Sequence, residues 1–380
     1  MTISDAPPRY LNRNVYILGA GFSAEGGLPV VRTFLNRMRD AWGWLRKEGR
    51  HREAEAIDRL FKFRLEAASA AERVHTDLEN IEELFSLAAA SAGESLAKDV
   101  TLAIAGTLDF AETNAPPLGR WVILAPPSWP APQTLKPTVS QRSEYSAYEL
   151  SGFDFFMLLL AAYPEDRAEE RRDTFITFNY DLLVESALHN LGIPFTYGFH
   201  NESAIFSDSA RCVRAQISDS DIPVLKLHGS VNWTAEDSSS KGLVVHGTYS
   251  DLVSRGMNPM LVPPTWRKTM DGEMLAVWDA AVAALRTATR IIIIGYSMPH
   301  TDQHFKYLLA AGLQNNISLR QILFVNDKAS ELRESLFKVL RDDLAPNLIR
   351  LCPLPAANFI AGNSSYDYSI NRPLASRFRP

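Results

Sequence analysis

The sequence predicts an α/β fold: a Rossmann-like parallel sheet flanked by helices, with an inserted helical module. Three observations predict it. Short apolar runs recur at Val15–Leu18, Thr174–Thr177, Val224–Leu227, Ile291–Ile294 and Ile322–Val325, mostly with β-branched residues and without polar alternation. Strands covered by helices on both faces read this way. Each run is closely followed by Gly or polar residues: Gly19-Ala20-Gly21, Asn179-Tyr180-Asp181, His228-Gly229-Ser230, Gly295-Tyr296-Ser297 and Asn326-Asp327. Open parallel sheets bind ligands at their carboxyl ends, so these residues are expected along one rim. Finally, the stretch from Gly19 to Asp173 is too long for one crossover helix and carries helical periodicity.

Within that stretch, Thr76-Asp77-Leu78-Glu79 fits a capping box. Leu78, Ile81, Leu84, Phe85 and Ala88 then mark one helical face. A second helix is expected over roughly Phe153–Ala162. Between the two, Pro116–Pro137 is dense in proline, which disfavours helix and sheet interiors alike and predicts a long loop or lid. The polar stretch Glu236–Ser254 predicts a loop or small irregular insert. The domain division is then 1–35 with 165–350 for the sheet, 36–164 for the inserted helical module with its Pro-rich loop 116–137, and 351–380 for a C-terminal tail.

Composition narrows the function. Hydrophobic residues make up 46% and charged residues 22%, as in an ordinary globular protein. The net charge of −5 argues against a protein built to grip nucleic acid, which needs a surplus of Lys and Arg. No apolar run nears the ~20 residues that span a bilayer, and Met1–Asn14 does not read as a signal peptide. Two cysteines, Cys212 and Cys352, cannot form a disulfide framework or a four-cysteine zinc site. A reducing, cytoplasmic setting and no zinc are expected.

The strand-end segments carry the chemistry. Gly19-Ala20-Gly21-Phe22-Ser23 after the first strand suits a tight turn and close approach to a pyrophosphate, though it equally suits a plain strand-to-helix turn. Asn179 and Asp181 can cap the next helix or bind a ligand. His228 has an imidazole that titrates near neutrality and can accept a proton from water or a ribose hydroxyl. His300 and His304 share a helical spacing, but Thr301 stands where a zincin needs Glu. Trp42, Trp44, Trp266 and Trp278 read as core or interface residues, and Trp233 as either core or site.

Taken together, the segments resemble the sirtuin superfamily, in the family's chain order. Gly19-Ala20-Gly21-Phe22-Ser23 with Gly27-Leu28-Pro29-Val30-Val31-Arg32 is similar to the first sirtuin signature, with Val30 and Val31 in place of an Asp and a Phe that lies near the nicotinamide. Thr177-Phe178-Asn179-Tyr180-Asp181 resembles its Thr-Gln-Asn-x-Asp segment, with Phe178 in place of Gln. Leu227-His228-Gly229-Ser230 resembles the segment of the catalytic histidine. Gly295-Tyr296-Ser297 and Asn326-Asp327 resemble segments lining the adenosine half of NAD. Two Cys-x-x-Cys pairs of the deacetylases are missing after His228.

The resemblance is closer to the divergent bacterial SIR2-like branch than to the protein deacetylases, and Leu261–Trp266 and Gly295–Asp302 resemble segments of that branch. It implies a sirtuin/DHS-like fold and an NAD+ hydrolase that releases nicotinamide and ADP-ribose, acting as an NAD-depleting effector in anti-phage defence. NAD is then a substrate. The implied catalytic residues are Asn179, His228 and Asp181. The implied nucleotide-binding residues are Gly19, Ala20, Gly21, Phe22, Ser23, Arg32, Gly295, Tyr296, Ser297, Asn326 and Asp327. It also implies a homo-oligomer and, in some members, a HerA-like ATPase partner. The alternatives are an NAD-dependent protein deacylase or ADP-ribosyltransferase, and a non-catalytic subunit that binds NAD or ADP-ribose.

Overall fold

The computed structural model describes residues 13–91, 93–116, 119–125, 146–161, 173–199, 204–206, 221–235, 242–263, 272–298, 303–340 and 348–360. β1 (Asn14–Leu18) runs into the short α1 (Ala20–Ala24). Four longer helices follow: α2 (Val31–Lys47), α3 (His51–Arg73), α4 (Ile81–Ser91) and α5 (Gly93–Thr113). An antiparallel pair, β2 (Arg120–Ala125) and β3 (Ser146–Ser151), leads to α6 (Gly152–Ala161). Then come β4 (Thr174–Thr177), α7 (Leu183–Asn190), β5 (Phe195–Thr196), β6 (Ala204–Phe206), β7 (Ile222–Lys226), β8 (Gly229–Ser230) and β9 (Trp233–Ala235). The described elements end with β10 (Leu243–Val245), α8 (Tyr249–Ser254), β11 (Met260–Leu261), α9 (Glu273–Thr287), β12 (Arg290–Ile294), α10 (Gln303–Leu313), β13 (Gln321–Val325), α11 (Arg333–Val339), β14 (Ile349–Cys352) and a helix at Ala356–Ile360.

The five expected strands lie side by side in a seven-stranded sheet of order β14-β13-β12-β1-β4-β7-β5, and every pairing is parallel. The register aligns their carboxyl ends. Leu18 faces Thr177 and Ile294, Thr177 faces Lys226, and Ile294 faces Val325. The motif residues therefore emerge on one rim. From β1 the chain winds outward through β4 and β7, then returns to the other flank of β1 at β12. That reversal is the topological switch point where such sheets hold ligands.

Two hydrophobic cores result. One is the sheet with its covering helices, in which Tyr16 stacks on Phe175 of the neighbouring strand at 4.9 Å. The other lies among α2–α5, where α2 turns a stripe of Phe34, Leu35, Met38, Ala41 and Leu45 inward. This helical core also takes in Leu182, Val231 and Leu261, which adjoin Asp181, Ser230 and Met260. The rim of the sheet thus lies against the helical layer.

Several expectations are corrected. The capping box at Thr76 does not form. α4 starts at Ile81, where the Asn80 side chain accepts from the Glu82 amide at 3.0 Å. Asn80 is as good a cap as Thr76, and it sits directly before the buried stripe. Part of the expected Pro-rich loop is a strand, because Arg120–Ala125 contains no proline and is free to pair with β3. Residues 126–137 lie outside the described residues. The expected irregular insert contains β10 and α8, the latter closed by a reciprocal Thr248–Asp251 capping box. β14 pairs with β13 and so crosses the expected boundary at residue 350. Trp233 is fully buried between Tyr197 and Phe199, which makes it a core residue.

Candidate active site

The turn after β1 packs backbone to backbone on the turn after β12. Gly19 N–H donates to Ile294 O at 3.0 Å, and Gly21 N–H donates to Gly295 O at 2.8 Å. Gly295 adopts φ +65°, and a Cβ there would lie 2.3 Å from Phe22 N. These glycines are thus demanded by the packing of two turns, and the Gly21 amide is committed within the fold. Phe22 turns its ring into the core against Phe153 at 5.2 Å.

Asn179 bridges this turn to the end of β4. Its Nδ2 donates to Gly19 O at 2.9 Å and to Ser23 Oγ at 2.8 Å. Ser23 Oγ in turn donates to Asp181 Oδ2 at 2.7 Å. The other carboxylate oxygen of Asp181 accepts from the Leu183 amide at 3.1 Å, capping α7. The donor order is therefore fixed from end to end: amide to hydroxyl, hydroxyl to carboxylate. Both Asn179 amide protons are used, which leaves its Oδ1 as the acceptor for a ligand or water.

Lys226 holds the network from below. It is 1% exposed, donates from Nζ to the Asp181 carbonyl, and pairs with Glu185 at 2.9 Å. Burial raises the Glu185 carboxyl and Lys226 opposes that rise. A buried pair of this kind costs desolvation, and losing one partner strands the other. The lysine ties β7, which leads to His228, to the start of α7.

His228 is buried at the end of β7. Its ring lies edge-on to Phe178 at 5.0 Å and 6.2 Å from Tyr180. Phe178 stacks on Tyr296 at 5.2 Å, and Tyr296 meets Phe305 at 4.6 Å. An aromatic row thus runs along the rim from His228 to β12. Gly229, at φ +81°, lets β8 approach β11 so closely that a Cβ would lie 2.2 Å from Met260 O. Val262 N–H donates to His228 O at 2.8 Å, and Tyr180 OH to Val262 O at 2.7 Å, so β11 and Tyr180 fix this turn.

The remaining candidates sit further out. Asn326 Nδ2 donates to Tyr296 O at 3.3 Å, and its Oδ1 accepts from the Lys328 amide at 2.9 Å. Ser297 and Asp327 are exposed at the ends of β12 and β13. Arg32 is exposed in the first turn of α2, outside the hydrogen-bonded network. His300, Asp302, Trp266 and Cys212 lie outside the described residues. Cys352 is buried in β14, and burial pushes its thiol up to about 11.

Residues 173–341 match the family model of the SIR2-like domain. No curated protein matches the chain. Among solved structures, Sir2Tm bound to a propionylated peptide is similar at 12% identity and TM-score 0.36, over 91% of this chain and 90% of that one. A triply substituted Sir2 homologue in complex with 2′-O-acetyl ADP-ribose is similar at 16% identity and TM-score 0.35, over 91% and 88%. No helix among the described residues is long and apolar enough to cross a membrane.

Proposed function

We propose that the protein is an NAD+ hydrolase that cleaves the nicotinamide–ribose bond and releases nicotinamide and ADP-ribose. The observation that carries the proposal is the ordered chain from Gly19 O through Asn179 and Ser23 to Asp181, at the switch point of the sheet and on the same rim as His228. The SIR2-like match over 173–341 supports NAD as the nucleotide.

In this reading Asn179 Oδ1 accepts a hydrogen bond from the attacking water or from a ribose hydroxyl. Water adds at the anomeric carbon as the glycosidic bond breaks, nicotinamide leaves as the neutral base, and one proton is released. His228 takes that proton. The transition state is a sugar cation, so fixed dipoles and a held water supply the catalysis. Asp181 and Ser23 act by holding Asn179. Tyr296, Ser297, Asn326 and Asp327 bound the adenosine side, with Gly19, Ala20, Gly21, Ser23 and Gly295 beside the diphosphate and Arg32 available at the outer edge. Phe22 supports the turn from the core.

The biological role follows as a further proposal: an effector that drains NAD during phage infection, working as a homo-oligomer and, in one arrangement, with a HerA-like ATPase. The test is product analysis with purified protein and NAD, with and without an acylated peptide. Nicotinamide and ADP-ribose are expected in equal amounts without peptide, and Asn179→Ala and His228→Ala are expected to abolish both. Turnover that required the acyl peptide would instead identify a deacylase.

A further inference from the structure

On the far side of α7, a cleft of about 310 Å³ lies between α5, α7 and the segment entering α8. This is the small end of the range for organic ligands, which begins at roughly 300 Å³. Its acids are Asp109, Glu112 and Glu185, and Tyr197 and Tyr249 are among its rings. Among the described residues no Lys or Arg lines it. The cations behind its wall are already committed, Arg50 to Asp109 and Glu53, and Lys226 to Glu185. Glu112 receives no ion pair or hydrogen bond among the described residues. His246, 1% exposed, lines the same cleft, and neither of its ring nitrogens has a hydrogen-bond partner.

A half-buried carboxyl without a partner and a buried, unsatisfied imidazole line one partly open cleft, where a ligand that engaged them would offset their desolvation. The absence of lining cations disfavours an anion. A bare metal ion is disfavoured as well, because no group of three or more His, Cys, Asp or Glu among the described residues converges to hold one. Rings beside a lone carboxyl suit a cation with an apolar body.

We propose that this cleft binds a small organic monocation, an amidinium or alkylammonium, with its charge against Glu112 and its apolar part on the cleft's aromatic lining. The groups facing Glu112 explain its response to pH. Burial pushes its carboxyl up to about 8, helped by Asp181, Asp109 and Glu185 and opposed by Lys226. Burial lowers the His246 imidazole below its ordinary value, and His189 on α7 also lines the cleft. At pH 7 Glu112 is protonated, so an entering cation ionises it and releases a proton. Affinity therefore rises with pH up to the Glu112 value. The cleft shares Glu185 with the network behind the rim, but binding here does not depend on NAD cleavage.

The experiment is calorimetric titration of the full chain with benzamidine and with its neutral isostere benzamide, in buffers of different ionisation heat. Benzamidine is expected to bind one per chain, at least about tenfold more tightly than benzamide. It should release about one proton at pH 7 and gain about tenfold in affinity from pH 6.5 to 7.5. Glu112→Gln should erase both the preference and the pH dependence. Equal affinities for the two probes, no binding by either, or a variant that keeps the preference would each overturn the proposal. The isostere and pH comparisons on the wild-type protein decide the matter even if the variant does not fold.

Discussion

Two buried polar regions flank the start of α7, and they are built on opposite rules. At the strand ends, Asn179, Ser23, Asp181, Lys226 and Glu185 form one chain in which each donor has a named acceptor. In the cleft behind, Glu112 is half-buried and His246 buried, and neither has a hydrogen-bond partner among the described residues. One region fixes its geometry through matched donors and acceptors, while the other leaves a carboxyl and an imidazole without partners. The number of partners, not depth, separates a positioned site from a receptive one.

The largest expected effect comes from removing a partner on the satisfied side. Lys226→Met leaves Glu185 buried without a counter-charge, and denaturant unfolding should show a loss of ~3–5 kcal/mol. Adding Glu185→Leu should return most of it, because an apolar pair carries no stranded charge. Next comes Asn179→Asp, which keeps shape but sets a carboxylate against Gly19 O and Ser23 Oγ, where two donors stood. Nicotinamide release should fall by roughly 100-fold or more, while circular dichroism should still report the fold.

Smaller effects follow where the network meets the backbone and the cleft. Gly295→Ala places a Cβ 2.3 Å from Phe22 N at φ +65°. The two turns must then part, and the chemical midpoint should report a loss of ~1–3 kcal/mol. The last is a pH slope, which is spread over several pH units and not read at one condition. Glu112 binds its proton more tightly folded than unfolded, its value rising from 4.5 to about 8. Its stabilising contribution is therefore full below about 4.5 and is lost as pH rises through about 8. Glu112→Gln should flatten stability across that window, measured by denaturant midpoints at a series of pH values.

The sheet was legible because its five long strands are buried on both faces and so read as short, mostly apolar runs without polar alternation. β5 and β14 were not. β5 has two residues, and β14 is an edge strand of mixed exposure, so neither carries a period to read. β2 was hidden by neighbouring prolines, although Arg120–Ala125 itself contains none. At the candidate site, the order and spacing of Asn179, Asp181 and His228 marked the rim, but not that Ser23 would couple the first two. Lys226 was missed, yet it left a signal: a charge inside an otherwise apolar strand. The cleft had no linear signal, because Glu112 and His246 are far apart in sequence and come to one cleft only through the fold.

The central claim is that the ordered rim around Asn179 performs water attack on NAD without a second substrate. The most direct measurement is the stoichiometry of products from the full chain incubated with NAD alone. One ADP-ribose for each nicotinamide is predicted, at a rate lost in Asn179→Asp. Saturable NAD binding with no nicotinamide released would contradict it and make the rim a binding site only.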